Sequence, residues 1–458
     1  MSRARLAAAS ITLCTACASA APPTLEALSP SVAARPSAEE AWRAEPPGPD
    51  LSLGDTPPEP VILRLKNGLR AVILERPGWS VVDSYLVTIG GASEDPGARP
   101  GLQALLYQAL ASPEVRVRQR LFDIGAQLHD EVRADRATLG VRGHPSDAAS
   151  LIGLLAEVTL RPEFSKDRTR DLVLGRSSAL LEAQTIPQLA LETELPGLLY
   201  VKDSPFARSS LGTPRSIRQI DNETLKAEHR RTLSPERSLL LVAGDIRAAQ
   251  VEPFIRQSFG SWSPGRNQRP PVAAPAAQGG THIVARVGRP QSRIVVARAL
   301  ADLSEAESVA LELLSQSLGK GLGSSLNILA RRDRGYSYGA STSVLQVGQS
   351  RVFRAELEVQ REDTELALKD LVSAFARVRT GTTAARPTTL PTTADELESL
   401  ADAFVRGGPL QVGRPYATDQ ASVSRIAQRL APSELQWVIL GDPDRARSAL
   451  LGAGLSAP

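Results

Sequence analysis

The chain has 458 residues, of which 42% are hydrophobic and 22% charged, and this length predicts about two to four domains with buried cores. Its formal net charge is only +3, which argues against nucleic-acid binding because there is no basic field to attract phosphates. Aromatic residues make up 4%, too few for surfaces that stack on bases or sugars.

The first 20 residues have the order of a secretory signal peptide. Arg3 and Arg5 precede a short apolar stretch, and small residues at 16–20 follow it. No apolar run of about 18 residues occurs after this leader, so the sequence predicts no spanning helix. We therefore expect export, with the mature chain in the periplasm or at the outer membrane of a bacterium.

Both cysteines lie inside this leader, so the sequence predicts a mature chain without a disulfide. Cys17 is a candidate acylation site because small residues precede it, although Leu13 stands one position further upstream than the lipoprotein pattern requires. The stretch 18–20 offers an ordinary cleavage site instead. A lipid anchor and plain cleavage therefore both stay open.

Residues 21–60 carry ten prolines among alanine, serine and glutamate, with little apolar periodicity. This composition is typical of a disordered tether. A second irregular stretch, 380–393, is rich in threonine and proline and predicts an exposed loop.

A sheet is predicted to begin directly after the tether. Alternating apolar residues at 61–65 and 70–74 flank Asn67-Gly68, which is the signature of a hairpin. The apolar patterns that follow predict further strands at 81–89 and 238–245 and helices at 101–110 and 147–160.

The second half of the chain repeats the first. Predicted strands at 282–287 and 293–300 are separated by Arg-Pro, as in the first half, and the apolar strand that ends in Gly-Asp near residue 441 repeats the one near residue 244. Strands and helices are grouped rather than alternating, so the fold class is predicted to be α+β. We expect two homologous domains, each a mainly antiparallel sheet with helices on one face, at 61–262 and 282–458, joined by a linker at 263–281.

These residues resemble the insulinase, or pitrilysin, superfamily of zinc metallopeptidases, in particular its two-domain members of the mitochondrial-processing-peptidase type. The similarity extends from about residue 63 to residue 441, and the order of its pieces is more specific than any one of them. The stretches that carry it are 65–70, 90–97, 211–213, 244–245, 259–262, 318–326, 331 and 335–338.

Active members of the superfamily carry His-x-x-Glu-His on the first long helix. The resemblance places the two zinc ligands at Ala104 and Gln108 and the catalytic base at Tyr107. Alanine has no donor atom, an amide is a poor zinc ligand, and tyrosine, with a pKa of about 10, is no base at neutral pH. The third ligand falls near Ala179, and Glu182 beside it cannot hold zinc alone. We therefore expect no metal site and no catalysis by this chain alone.

No other pattern in the sequence supplies the missing chemistry. The four histidines are not spaced as a helical metal-binding pair, and His129-Asp130-Glu131 reads as a solvated polar stretch of a strand. The Gly-x-Ser-x-Gly match at 335–339 lies between a predicted helix and a predicted strand, which is the reverse of a nucleophile elbow. The glycines near residue 320 lack the spacing of a phosphate loop.

In two-subunit relatives, one chain supplies zinc and the other lacks the motif but contributes substrate-binding residues. The resemblance implies that Arg331 and Tyr338 have this role, and that Gly319, Gly321 and Gly323 let the backbone approach an extended peptide. The structural alternatives are that the arginine caps a helix, the tyrosine packs and the glycines end a helix.

The sequence therefore predicts a catalytically inactive insulinase-family subunit that pairs with a zinc-bearing sister peptidase and helps bind peptide substrate. It predicts no cofactor in this chain and zinc in the partner. A stand-alone binding or scaffold protein of the cell envelope is the alternative, and an active zinc peptidase with relocated ligands is the third hypothesis.

Overall fold

The computed structural model describes the residues 59–183, 186–265, 271–378, 392–412 and 418–458. The predicted leader with Cys17, nearly all of the tether, five residues of the linker and most of the Thr/Pro-rich stretch lie outside the described residues. No helix in the described ranges is long and apolar enough to cross a membrane. The predicted domain boundaries stay predictions.

Six strands of the first half form one twisted sheet: β1 (Val61–Arg64), β2 (Arg70–Glu75), β3 (Val82–Ile89), β4 (Gln127–Val132), β5 (Arg136–Gly143) and β6 (Ser238–Gly244). Their order across the sheet is β1-β2-β6-β3-β5-β4. The pair β2 and β6 is parallel, and the other neighbours are antiparallel. The predicted hairpin at Asn67-Gly68 is present, and Gly68 adopts the positive φ of 93° that such a turn requires.

The described residues of the first half form eight α-helices: α1 (Leu102–Ala111), α2 (Val115–Asp123), α3 (Ala148–Leu160), α4 (Lys166–Ala183), α5 (Pro187–Leu199), α6 (Pro214–Ile217), α7 (Asn222–Thr232) and α8 (Ala248–Phe259). Apolar residues of α1, α3, α7 and α8 pack on one face of the first sheet. Leu105, Leu151, Leu225 and Ile255 are fully buried in this core.

The second half forms a five-stranded sheet from β7 (Gly280–Ala285), β8 (Gln291–Leu300), β9 (Ala340–Val347), β10 (Ser350–Gln360) and β11 (Gln436–Gly441). The strand order is β7-β11-β8-β10-β9, and β7 and β11 form its parallel pair. Its helices are α9 (Glu305–Gly319), α10 (Ser325–Asn327), α11 (Thr364–Val378), α12 (Thr393–Arg406), α13 (Gln420–Arg429) and α14 (Pro443–Gly452).

The second core lies between this sheet and the helices α9, α11, α13 and α14. Phe375 of α11 meets both Phe353 and Trp437 edge to face, and the Trp437 indole N–H donates to the Pro432 carbonyl at 2.9 Å. The predicted α+β class with two similar, mainly antiparallel halves is confirmed. Each half has one parallel strand pair that ends in a Gly-Asp turn, at Gly244 and Gly441.

A helix from the second half covers the other face of the first sheet. In α12, Leu397, Leu400 and Phe404 pack against a layer of apolar residues on that face, and Leu400 is 0% exposed. The residues of the first sheet in this cluster are Val72, Leu74, Val87, Leu239, Leu241 and Ala243. The burial of β6 on both faces follows from this packing, because it lies between two helical layers.

A helix from the first half covers the second sheet in the same way. Leu191, Leu195 and Leu199 of α5 pack against β7, β8 and β11. Glu192 of α5 pairs with Arg354 at 2.6 Å, and Glu194 lies 2.7 Å from His282. Each half therefore contributes one helix that packs on the sheet of the other half, and neither sheet is fully covered by its own half.

Ion pairs fix α12 on the first half. Glu396 lies 2.6 Å from Arg76, and both side chains are largely buried. Glu398 pairs with Arg133 and with Arg136, which also lies 2.8 Å from Asp402. Partly buried, multiply bonded pairs of this kind fix geometry more than they add stability.

Removal of the Leu400 side chain should show how much the chain depends on this exchange. We expect Leu400→Ala to lower the free energy of unfolding by about 2 to 5 kcal/mol, since it leaves a cavity between α12 and the first sheet. Chemical denaturation measures the loss. Leu366→Ala, at a site that is 39% exposed on α11, is the matched control and should cost about 1 kcal/mol or less.

The buried Asp402 should make stability depend on pH. Burial raises the pKa of Asp402 from its ordinary 3.8 to about 6, although Arg136 acts in the opposite direction. Because the folded state holds this proton more tightly, the free energy of unfolding should fall as pH rises from about 4 to about 6, by at most about 3 kcal/mol for this group.

Asp402→Asn should remove that slope, as measured by denaturation at several pH values. Asp395 on the same helix is the control of opposite sign, because hydrogen bonds from Thr392 lower the pKa of Asp395. Its contribution should be lost as pH falls. Identical pH profiles for wild type and Asp402→Asn would contradict the assignment.

Candidate functional site

The start of α1 is fixed by a buried carboxylate. Asp95 accepts hydrogen bonds from the backbone N–H groups of Gly101 at 2.6 Å and Gln103 at 2.8 Å, which satisfies donors that a helix start leaves unpaired. Burial raises the pKa of Asp95 to about 7 in spite of these bonds, and the charge of Glu228 adds to the rise. Gly101 has a φ of 87°, and a Cβ there would lie 2.8 Å from Gly212, so this helix start and the 211–213 loop are in direct contact.

The residues at the degenerate zinc-motif positions point into protein rather than toward solvent. Ala104 and Tyr107 are buried, and Gln108 is half-buried. Burial raises the pKa of Tyr107 above its ordinary value, and the Glu94 charge adds to this effect. Tyr107 therefore stays protonated in the core and cannot act as the base that this position supplies in active relatives.

The third ligand position and its surroundings lie on α4. Ala179 is exposed and offers no ligand atom. One turn earlier, Arg176 donates through Nη1 to the Gln108 side-chain oxygen at 3.2 Å, and its Nη2 lies 3.4 Å from the Leu211 carbonyl. This arginine belongs to no sequence motif, and the signal that points to it is its three-residue spacing from Ala179, which places both on one helix face.

The positive charge near the degenerate zinc-motif positions comes from the Arg176 guanidinium. Burial lowers the pKa of Arg176, whereas the charges of Asp130 on β4 and Asp95 raise it. The pKa of Asp130 is raised by its own burial and lowered by Arg176. The Arg176 guanidinium thus joins α4 to α1 and lies within electrostatic range of Asp130 and Asp95.

These residues do not fit a zinc ion. Of the three ligand positions, only Gln108 has a donor atom, and that oxygen already accepts a hydrogen bond from a cation. In the part of the chain that the structure describes, no group of three or more His, Cys, Asp or Glu side chains is arranged to hold a metal.

The polar sequence clusters have structural roles where they are described. The His129 ring packs edge to face on Tyr85 with 5.0 Å between centroids and covers Gly140, so it is half-buried rather than solvated. The Ser337 hydroxyl lies within hydrogen-bonding distance of the Gly339 and Glu358 carbonyls, at 2.9 and 2.7 Å. Ser337 therefore stabilises a turn, as expected for an accidental match to a nucleophile elbow.

Arg331 and Tyr338 lie in the second half, on either side of a tight turn. Arg331 belongs to a π-helical segment, Ile328–Asp333, and Tyr338 precedes β9. Both side chains are exposed, Tyr338 to 95%. Neither side chain has a hydrogen bond or ion pair with any residue described in the structure.

The backbone around this pair is held firmly. The Asn327 side chain donates to the Gly321 and Ala340 carbonyls at 3.1 and 2.7 Å and accepts from the Ala340 N–H. Arg334 makes a bidentate pair with Asp370 at 3.0 and 3.1 Å. Two unpaired polar side chains thus project from a braced turn.

The three predicted substrate-approach glycines differ in their surroundings. Gly319 ends α9, and a Cβ there would lie 2.6 Å from the Thr342 side chain, so close packing on β9 requires this glycine. Gly321 has a φ of 86°, which requires glycine for the turn. Gly323 is exposed and has open space around it. The structure thus gives Gly319 and Gly321 local roles, and their role toward substrate stays a prediction.

The chain is similar to several known proteins. The family described as the peptidase M16 inactive domain matches residues 219–386. An uncharacterized zinc protease of Mycobacterium leprae is 26% identical over 286 residues, which is 60% of this chain and 63% of that protein. An uncharacterized zinc protease of Mycobacterium bovis is 24% identical over 328 residues, 68% of this chain and 74% of that protein.

Solved structures show the same fold. A peptidase M16 inactive domain from Pseudomonas fluorescens superposes with a TM-score of 0.71 at 21% identity, covering 84% of this chain and 98% of that one. Pitrilysin superposes with a TM-score of 0.65 at 14% identity, covering 88% of this chain and 50% of pitrilysin. The chain therefore has the fold of these peptidase M16 structures, and its residues 219–386 are similar to the peptidase M16 inactive domain.

Proposed function

We propose that this chain is a catalytically inactive subunit that pairs with a zinc-bearing sister peptidase and contributes to binding its peptide substrate. The observation that carries the proposal is the contrast between the two candidate sites. At the degenerate zinc-motif positions Gln108 accepts a hydrogen bond from Arg176, whereas Arg331 and Tyr338 are exposed and have no partner among the described residues.

The chemistry of the exposed pair suits a peptide. A guanidinium presents a fixed fork of N–H donors, and a phenol presents one O–H donor. Such donors stabilise a peptide carbonyl or the oxyanion that forms when it is attacked. The rigid turn that carries them limits the entropy lost on binding. Zinc and the attacking water would be supplied by the sister chain.

The proposed location is outside the cytoplasm, in the periplasm or at the outer membrane. The leader anatomy supports export, and Cys17 is the proposed attachment point if the chain carries a lipid. The proline-rich segment after it would then separate the folded body from the membrane.

Co-expression tests the subunit function directly. The partner is a relative from the same organism that carries an intact His-x-x-Glu-His motif, and the measurements are co-purification and cleavage of a peptide library. We expect a stable complex whose cleavage rate falls about 10²-fold or more when this chain carries Arg331→Ala with Tyr338→Ala, the scale of losing an oxyanion donor.

Arg332→Ala is the matched control, because Arg332 is an exposed neighbour that pairs with Asp333 at 2.9 Å. It should leave the rate unchanged. If no complex forms and cleavage by the partner is indifferent to this chain, the subunit proposal is wrong and the stand-alone envelope binder takes its place.

Zinc analysis distinguishes the inactive subunit and the stand-alone binder from an active peptidase with relocated ligands. We expect the purified chain, after incubation with zinc and desalting, to retain well below one zinc per chain by atomic emission spectrometry. The physical reason is that the ligand positions hold alanine and a hydrogen-bonded amide. One tightly held zinc per chain would contradict this expectation.

A further inference from the structure

At the degenerate zinc-motif positions, a hydrogen bond between two side chains is present where an active relative would bind zinc. Arg176 extends from α4 to α1, where its Nη1 donates to the Gln108 side-chain oxygen at 3.2 Å. Gln108 stands where the resemblance places the second zinc-binding histidine. A contact between the third-ligand helix and the motif helix, which a metal would make in an active relative, is made here by a side chain.

Acidic side chains near Arg176 provide the kind of surroundings that a bound metal cation would also need. Asp130 comes from β4 and Asp95 from the segment before α1, so acidic groups approach the guanidinium from two separate elements. Burial nevertheless outweighs these two charges, so the pKa of Arg176 is lowered overall. The Arg176 Nε atom is buried and has no hydrogen-bond partner in the described structure. The guanidinium therefore does not use all of its N–H donors.

We infer that Arg176 is a resident cation that substitutes for the metal, joining α1 to α4 and closing this centre to zinc. Asp95 is buried and Asp130 is exposed, and Arg176 adds to the positive charge that Arg208 already supplies near Asp95. A guanidinium attached to the chain supplies the counter-charge permanently, so it does not depend on the metal supply.

The inference deepens the proposed function, since it rests on the absence of catalysis in this chain. It is nevertheless testable without any sister subunit. If the chain proves to have no partner, the chemistry of its own centre is unaffected, so the two proposals can fail separately.

The test restores the ligands and asks whether Arg176 excludes zinc. The full chain receives Ala104→His, Gln108→His and Ala179→Glu, while Tyr107 stays because it is buried in the core. Zinc affinity is then measured by isothermal titration with zinc chloride, with and without Arg176→Ala. We expect zinc to bind at least about 10-fold more tightly when Arg176 is removed, because a fixed cation beside a dication is repulsive.

Arg170→Ala is the matched control, an exposed arginine of the same helix that lies 3.4 Å from Asp167. Added to the ligand-restored chain, it should leave the zinc affinity unchanged. Equal zinc affinities with and without Arg176, or no zinc binding in either chain, would overturn the inference, because the arginine would then not be what excludes the metal.

A second measurement covers the case in which the ligand-restored chain does not fold. In the otherwise unaltered chain, Arg176→Met and Gln108→Leu are combined in a double-mutant cycle of unfolding. The inferred bridge predicts that the two effects on the unfolding equilibrium constant deviate from independence by at least about 5-fold. Independent effects would mean that no bridge joins α1 to α4.

Discussion

Each sheet of this molecule has two apolar faces, and the half of the chain that builds a sheet covers only one of them. The remaining face is covered by a single helix from the other half, α12 on the first sheet and α5 on the second. Burial of apolar side chains between the two halves therefore stabilises their association, in addition to the covalent link between them. The ion pairs of α12 with Arg76 and Arg136 determine where the helix lies, while apolar burial supplies the stabilisation.

Much of this fold could be predicted from sequence patterns because its strands and helices follow local rules. Asn67-Gly68 between alternating apolar residues predicted the first hairpin, and the repeated Gly-Asp strand ends predicted the second half. The helix exchange could not be predicted in this way. The leucines of α5 show that one face is buried, but amphipathic spacing does not say which sheet buries it.

The candidate site shows the same division. Three residues at the positions where the resemblance places the zinc motif carry its departure from the motif, because alanine, tyrosine and glutamine lack the required chemistry at any geometry. The hydrogen bond from Arg176 to Gln108 could be found only from the structure, since the two residues are 68 positions apart and no motif links them. Exposure of Tyr338 likewise depends on how a turn is braced by Asn327, which spacing alone does not reveal.

The exchanged helix also governs the order in which the molecule can be completed. Arg76 and Glu396 are separated by 320 residues. The apolar face that contains Val72 is likewise buried only when α12 packs on it. As the chain is synthesised from its N-terminus, the first sheet has an uncovered apolar face until most of the second half has been made. Late, long-range closure of this kind makes folding slow and exposes intermediates to aggregation. A chaperone that shields the first sheet until α12 arrives would therefore raise the yield of folded protein more than it changes the stability of the finished molecule.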